Sequence, residues 1–225
     1  MVCSLSPIST VMQRPRTFSS RFLGSKLIWL VTVVWLALGI TGTVLLARYS
    51  YTPSNASEPA AHWPRGTPIR PAGTGFTLVM LVHPQCPCSA AGMEELARVT
   101  AVAQGHLETH VIFLRPEGFA QGWEQTALWR TASAIPGVRI WTDAGGREVE
   151  RFGASVSGQV LLYDSSGELR LSGGITAGRG HAGDNPGLDA VREILVHGTR
   201  RPVRGPMFVR APMFGCSLRS PRGTS

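Results

Sequence analysis

The chain has 225 residues, 43% hydrophobic and only 16% charged, which is too apolar for a disordered chain and long enough for one domain with attachments. Four cysteines exclude a disulfide-dense scaffold, and 26 glycines and 16 prolines without a three-residue repeat exclude collagen. The formal charge of +8 collects at the ends, because residues 1–26 and 199–225 hold no acid whereas residues 75–198 hold more acids than arginines; a groove that tracks phosphates would carry its cations on the folded part, so nucleic acid is not an expected partner.

Residues 1–26 form a basic N-terminal segment with Arg14, Arg16, Arg21 and Lys26. Residues 27–47 (LIWLVTVVWLALGITGTVLLA) carry no charge, and as a helix they span about 31 Å, the thickness of a bilayer core. Four cations precede this run and only Arg48 follows it closely, which places the N-terminus in the cytoplasm and residues 48–225 outside. The expected location is the bacterial inner membrane, with one pass and a periplasmic C-terminal domain. A cleaved signal peptide is the rival reading; its apolar stretch is shorter and ends in a small-x-small site, which Leu-Leu-Ala-Arg-Tyr does not supply. Residues 48–74 hold Pro53, Pro59, Pro64, Pro68 and Pro71 and read as a semi-extended linker holding the domain off the bilayer.

Residues 75–198 have a globular pattern. Phe76–Val82 is a continuous apolar run, the signature of a strand buried on both faces. A helix follows to about Ala103, with Met93, Leu96, Ala97, Thr100 and Ala101 on its apolar face. Thr109–Leu114 is a strand, and Gly122–Ala134 a helix with Trp123, Ala127, Arg130 and Ala134 along one stripe. Val138–Trp141 is a short strand and Gly146–Phe152 a helical turn. Gln159–Tyr163 and Glu168–Leu171 form a hairpin around Asp164-Ser165-Ser166-Gly167. The last helix is capped by Asn185, has Pro186 at its first position and stops at Gly198. Early strands separated by helices should be parallel, and the closing pair antiparallel, in an α/β fold. Trp123, Trp129 and Trp141 are expected in the core, and His62, His106, His110 and His197 on the surface. Residues 199–225 form an Arg- and Pro-rich tail, whose Met207, Phe208, Val209, Met213 and Phe214 can dock it on the domain and which carries Cys216.

The sharpest local signal is His83-Pro84-Gln85-Cys86-Pro87-Cys88-Ser89, at the junction of the first strand and first helix of the domain. Unpaired N–H groups and the positive dipole end of a helix N-terminus favour thiolate over thiol. A thiolate there is a nucleophile or a soft metal ligand. Two buried, inert cysteines are the alternative.

Residues 76–174 resemble a thioredoxin-family domain, through TLVMLVHPQCPCSAAGMEELARV and GQVLLYDSSGELRLSGG. HPQCPC, RFGASVSGQVLLYD, GGITAGRGHAGDN and PMFGCSL are similar to the membrane-anchored RedB-like proteins of that superfamily. The resemblance implies a thioredoxin-like fold, a mixed sheet with flanking helices preceded by one transmembrane helix. By this alignment Cys86 takes the nucleophile position, Ser89 that of the second cysteine, and Cys88 is an extra thiol between them. Gly158, beside Ser157, stands where the family has a cis-proline.

Three functions are open. In the first, Cys86 attacks a disulfide and Cys88 or Cys216 resolves it, with a protein thiol or disulfide as partner and no cofactor. In the second, Cys86 and Cys88 with His181 or Cys216 hold Cu(I) or Zn(II). In the third, the domain is a non-catalytic interaction module. His181, with Arg179 and Asp184, lies in a Gly-rich loop that can face the cysteines. For Asp184 a role at the start of the last helix is the simpler expectation.

Overall fold

The computed structural model describes residues 20–103, 105–198 and 208–218, with only the backbone of residues 20–24. The expectations for the basic segment before Ser20, for Met207 and for the rest of the tail concern residues outside these. The chain divides into two compact units, one ending at Leu46 and the other starting at Ala47.

Among the described residues of the first unit a single element runs through, the helix α1 (Ser20–Tyr51). Residues 27–47 are apolar around the whole circumference, and side chains such as Trp29, Trp35 and Leu38 are about 70% exposed. A helix of this kind fits a single-pass membrane anchor: its length and composition suffice from Ser25 to Tyr51. The hydroxyls of Thr32 and Thr43 donate to the carbonyls of Ile28 and Gly39, so neither is left unpaired in an apolar setting.

The second unit is built on a six-stranded sheet ordered β3-β2-β1-β4-β5-β6. β1 (Phe76–Val82) pairs parallel with β2 (Leu107–Arg115), and β2 parallel with β3 (Val138–Ala144). β4 (Gln159–Asp164) runs antiparallel to β1 and forms a hairpin with β5 (Leu169–Gly173). The helices are α2 (Ser89–Val102), α3 (Ala127–Ser133), α4 (Arg147–Arg151) and α5 (Pro186–His197). The β1 side chains alternate between two apolar layers. Leu78, Met80 and Val82 pack with Met93, Leu96 and Val99 of α2 and with residues of α3 and α5. Val79 and Leu81 pack on the other face with Val149 and Phe152, Ile69 and the tail residues Phe208 and Leu218. Each such side chain contributes about 1.5–3 kcal/mol on burial.

Three expectations need correction. Residues 48–51 are the last turn of α1, and residues 54–72 are no free spacer. Trp63 and Ile69 close the second face of the sheet, and the backbone N–H groups of Ala60 and Trp63 donate to Phe152 and Gly167 carbonyls. The helix expected over Gly122–Ala134 begins only at Ala127, and it buries Leu128 and Ala132 rather than Ala127, Arg130 and Ala134. Gly122, at φ 88°, turns the chain before the helix and shifts its phase. His110 is not on the surface: it is 1% exposed on β2, and its Nδ1 accepts from the Trp141 indole.

α5 begins and ends where its signals stand. The Asn185 side chain accepts from the Leu188 N–H and donates to the Ile175 and Gly183 carbonyls. Asn185→Ala is expected to cost about 1–2 kcal/mol, the upper part of the range for losing a cap, measurable as a lowered chemical-denaturation midpoint of the detergent-solubilised chain.

Candidate functional site: three cysteines at a helix N-terminus

β1 ends at Val82, and the next six residues turn tightly into α2, with Cys88 as the capping residue. The Cys86 N–H donates to the His83 carbonyl and the Ser89 N–H to the Cys86 carbonyl. This turn buries Cys86, which is 4% exposed, and leaves Cys88 half-buried.

The third sulfur arrives from the far end of the chain. β6 (Val209–Arg210) adds to β5 in parallel, opposite Leu171 and Ser172. The chain then continues along the sheet edge, with Ala211 N–H donating to Ser172 O and Gly174 N–H to Pro212 O. Phe208, Met213 and Leu218 are buried beneath it. At its end the Ser157 N–H donates to the Cys216 carbonyl, and the Leu218 N–H to the Ser155 carbonyl, each at 2.8 Å. The Sγ atoms of Cys86, Cys88 and Cys216 consequently lie within 4.8 Å of one another.

The three thiols differ in acidity. Burial of Cys86 opposes ionisation, but the Cys216 backbone N–H, the Ser89 hydroxyl, the Cys216 thiol and the Ser157 hydroxyl lie within donor reach of its sulfur, and this donor set lowers it below the ordinary thiol value. The Ser89 and Ser157 hydroxyls lie 2.8 Å apart, so one can donate to the sulfur while accepting from the other. Ser157 Oγ also accepts from the His83 N–H. Cys88 is pushed up by burial and by the neighbouring Cys86 charge, with Cys216 and the Arg179 guanidinium opposing. Cys216, although an exposed residue, has its thiol pushed up to about 12 by partial burial and by Cys86 and Cys88. A thiol made more acidic than its two neighbours is what an exchange reaction uses: a nucleophile and groups that attack later.

The three cysteines named as candidates from the sequence, Cys86, Cys88 and Cys216, lie together in the structure. His181 is not part of it. Among the described residues the cluster of possible metal ligands comprises the three cysteines alone, and the His181 ring stacks on Tyr51 at 5.5 Å. Asp184 is exposed and faces Arg192 at 3.8 Å. Arg179 does reach the region: it donates to the Gly215 carbonyl, to Ser54 Oγ and to the Tyr49 carbonyl. Gly158, at φ 86°, donates its N–H to Leu81 O and faces Ser89. Two groups were not legible in the sequence: Ser157 as a donor, and Glu95, a carboxylate fully buried in α2 that accepts from Arg98 and the Gly183 N–H. Ser157 meets Ser89 and His83, and Glu95 meets Gly183, across long stretches of chain.

No family model matches the chain, and no curated protein does. Solved structures do. A hypothetical protein of Sinorhizobium meliloti 1021 is 21% identical with a TM-score of 0.55, over 76% of this chain and 100% of that one. An uncharacterised conserved protein of Geobacillus kaustophilus is 16% identical with a TM-score of 0.52, over 76% of this chain and 93% of its own. The exposed lipoprotein thioredoxin of Streptococcus pneumoniae strain TIGR4 is 14% identical with a TM-score of 0.42, over 56% and 86%. A mixed sheet with a parallel β-α-β start, an antiparallel hairpin and a closing helix, with cysteines where the first helix of the domain begins, is a thioredoxin-like fold.

Proposed function

We propose that the protein is a membrane-anchored thiol–disulfide oxidoreductase, with Cys86 as nucleophile and Cys88 or Cys216 as the resolving thiol. The observation that carries this reading is the gathering of three sulfurs within 4.8 Å, with donors around Cys86 that favour its ionisation over that of the other two. The cation asymmetry around α1 supports an extracytoplasmic domain at the bacterial inner membrane, where disulfides persist. Among thioredoxin-like proteins, the HPQCPC and PMFGCSL segments favour the RedB-like group. The test is the intact mass of the full chain in detergent, with and without dithiothreitol. A reversible loss of two hydrogens, mapped to a pair among Cys86, Cys88 and Cys216, is expected. Three thiols that alkylate slowly at neutral pH and never pair would overturn the reading, as would a topology reporter that finds the C-terminal domain in the cytosol.

The same cluster favours a second reading. A soft cation bound at about 2.3 Å holds its sulfurs about 4 Å apart, a small closure from the present spacing. Three thiolates without a fourth ligand among the described residues suit Cu(I) better than Zn(II), which takes four. Purification under reductant followed by metal analysis separates the two: protein free of metal and without Cu(I) affinity eliminates the second reading.

A further inference from the structure

Residues 208–218 are fitted to the domain by more than their sulfur. The last part runs antiparallel to residues 155–157, with a bridge between Val156 and Ser217. A side chain at position 215 would place its Cβ 2.1 Å from the Ser157 carbonyl oxygen, and one at 173 would come within 2.4 Å of Ala211. Only glycine lets the two backbones approach this closely. Arg210 holds both Glu58 oxygens, and the Ser54 N–H donates to Met213 O. The Ser155 carbonyl and the Ser157 N–H, the polar groups of that edge beside Cys86, are both occupied by this segment.

We propose that residues 208–218 are a displaceable strap that competes with the redox partner for the Ser155–Ser157 edge. The partner is a protein that presents a cysteine within an extended segment. The proposal rests on the thiol–disulfide reading and adds to it how the site is closed. What sits on the edge shows what fits it: an extended Gly-Cys-Ser stretch, held by its backbone and aiming its thiol at Cys86. A partner segment can use those bonds only after the strap leaves. The Cys86 thiolate then attacks the partner's disulfide; one partner sulfur leaves as thiolate and the other is bonded to Cys86. Return of the strap brings Cys216, which gives up its proton, attacks Cys86 Sγ and expels the second partner sulfur as thiolate. The balance is one partner disulfide reduced and one Cys86–Cys216 disulfide formed, with the thiolates free to take up protons from water.

The experiment uses the full chain in detergent with Cys3 and Cys88 replaced by Ser. The probe is an extended peptide containing Gly-Cys-Ser, its cysteine carried as a mixed disulfide with thionitrobenzoate, so that attack by Cys86 releases the coloured thiol. In the further variant Cys216→Ala the peptide stays on Cys86, and amide hydrogen exchange over residues 209–218 is expected to rise at least about tenfold. The same variant capped at Cys86 by a methylthio group should show no such rise. Equal exchange in the two adducts overturns the proposal. Gly215→Ala, with Cys216 retained, unseats the strap end without shortening the chain. It should lengthen the life of the peptide adduct at least about tenfold, by intact mass. An unchanged lifetime also overturns the proposal. Failure of the parent to form any peptide adduct overturns the thiol–disulfide reading itself, a distinct outcome.

Discussion

Cys86→Ser is expected to lower the total alkylation rate at pH 7 at least severalfold, because it removes the one thiol of the cluster whose ionisation is favoured. Thiolate is the reactive form, and the thiolate fraction falls tenfold for each unit by which the pKa exceeds the pH. Cys216, at about 12, holds about one thiolate in a hundred thousand at that pH, and Cys88 is also raised by burial. Removal of Cys86 relieves both of its charge but not of their burial. The measurement is iodoacetamide labelling resolved by peptide mass, in chains that also have Cys3 replaced. The rate of the parent should rise with pH through a midpoint below the ordinary thiol value and then level. In the variant it should still be climbing at pH 9. Equal labelling of parent and variant at pH 7 would place the reactive thiol elsewhere. The substitution is nearly isosteric, so an unchanged circular-dichroism spectrum is the expected control.

Acidification from pH 7 to pH 4 should remove about 3 kcal/mol of stability through His110 alone, a second effect large enough to read without ambiguity. Burial, reinforced by the nearby Arg139 charge and opposed by Glu108, lowers this imidazole to about 4. The unfolded chain takes up the proton near 6.5, the folded one only near 4. Between those values the unfolded state binds more protons, so stability falls as pH falls, and it levels off below 4. Above 6.5 the contribution is complete. The comparison is with His110→Gln, which keeps an acceptor for the Trp141 indole but does not titrate. Asp143, raised by its own burial, acts in the opposite direction in the lower part of the window and cancels between parent and variant. Denaturation midpoints that track each other from pH 7 to 4 would show that His110 is free to protonate in the fold.

These two residues mark what the sequence made legible and what it did not. Cys86 was readable because its setting is local: an apolar strand, two cysteines around a proline and a helix start lie within a dozen residues. α5 was readable for the same reason, since Asn185, Pro186 and Gly198 are punctuation that acts on its own neighbours. His110 was not. A strand buried on both faces has no polar alternation to say which positions tolerate a polar group, and the indole that satisfies this one is 31 residues away. The tail strand escaped for a related cause. β6 is two residues long, and its register is set by Leu171 and Ser172 and by glycines that leave room for it, none of them near in sequence. His181 shows the opposite error. A Gly-rich loop with a histidine suggests a ligand, but the ring spends its polarisable face on Tyr51.

The packing of residues 54–72 under the sheet also decides how a water-soluble version of this protein should be cut. A start at position 75, where the first strand comes into view, would strip Trp63 and Ile69 from Phe152 and Tyr163 and leave greasy rings bare to solvent. It would also remove Ser54 and Glu58, which tether the segment bearing Cys216. A fragment that starts just after the apolar run and extends through Leu218 keeps both, and should stay monodisperse where the shorter one precipitates.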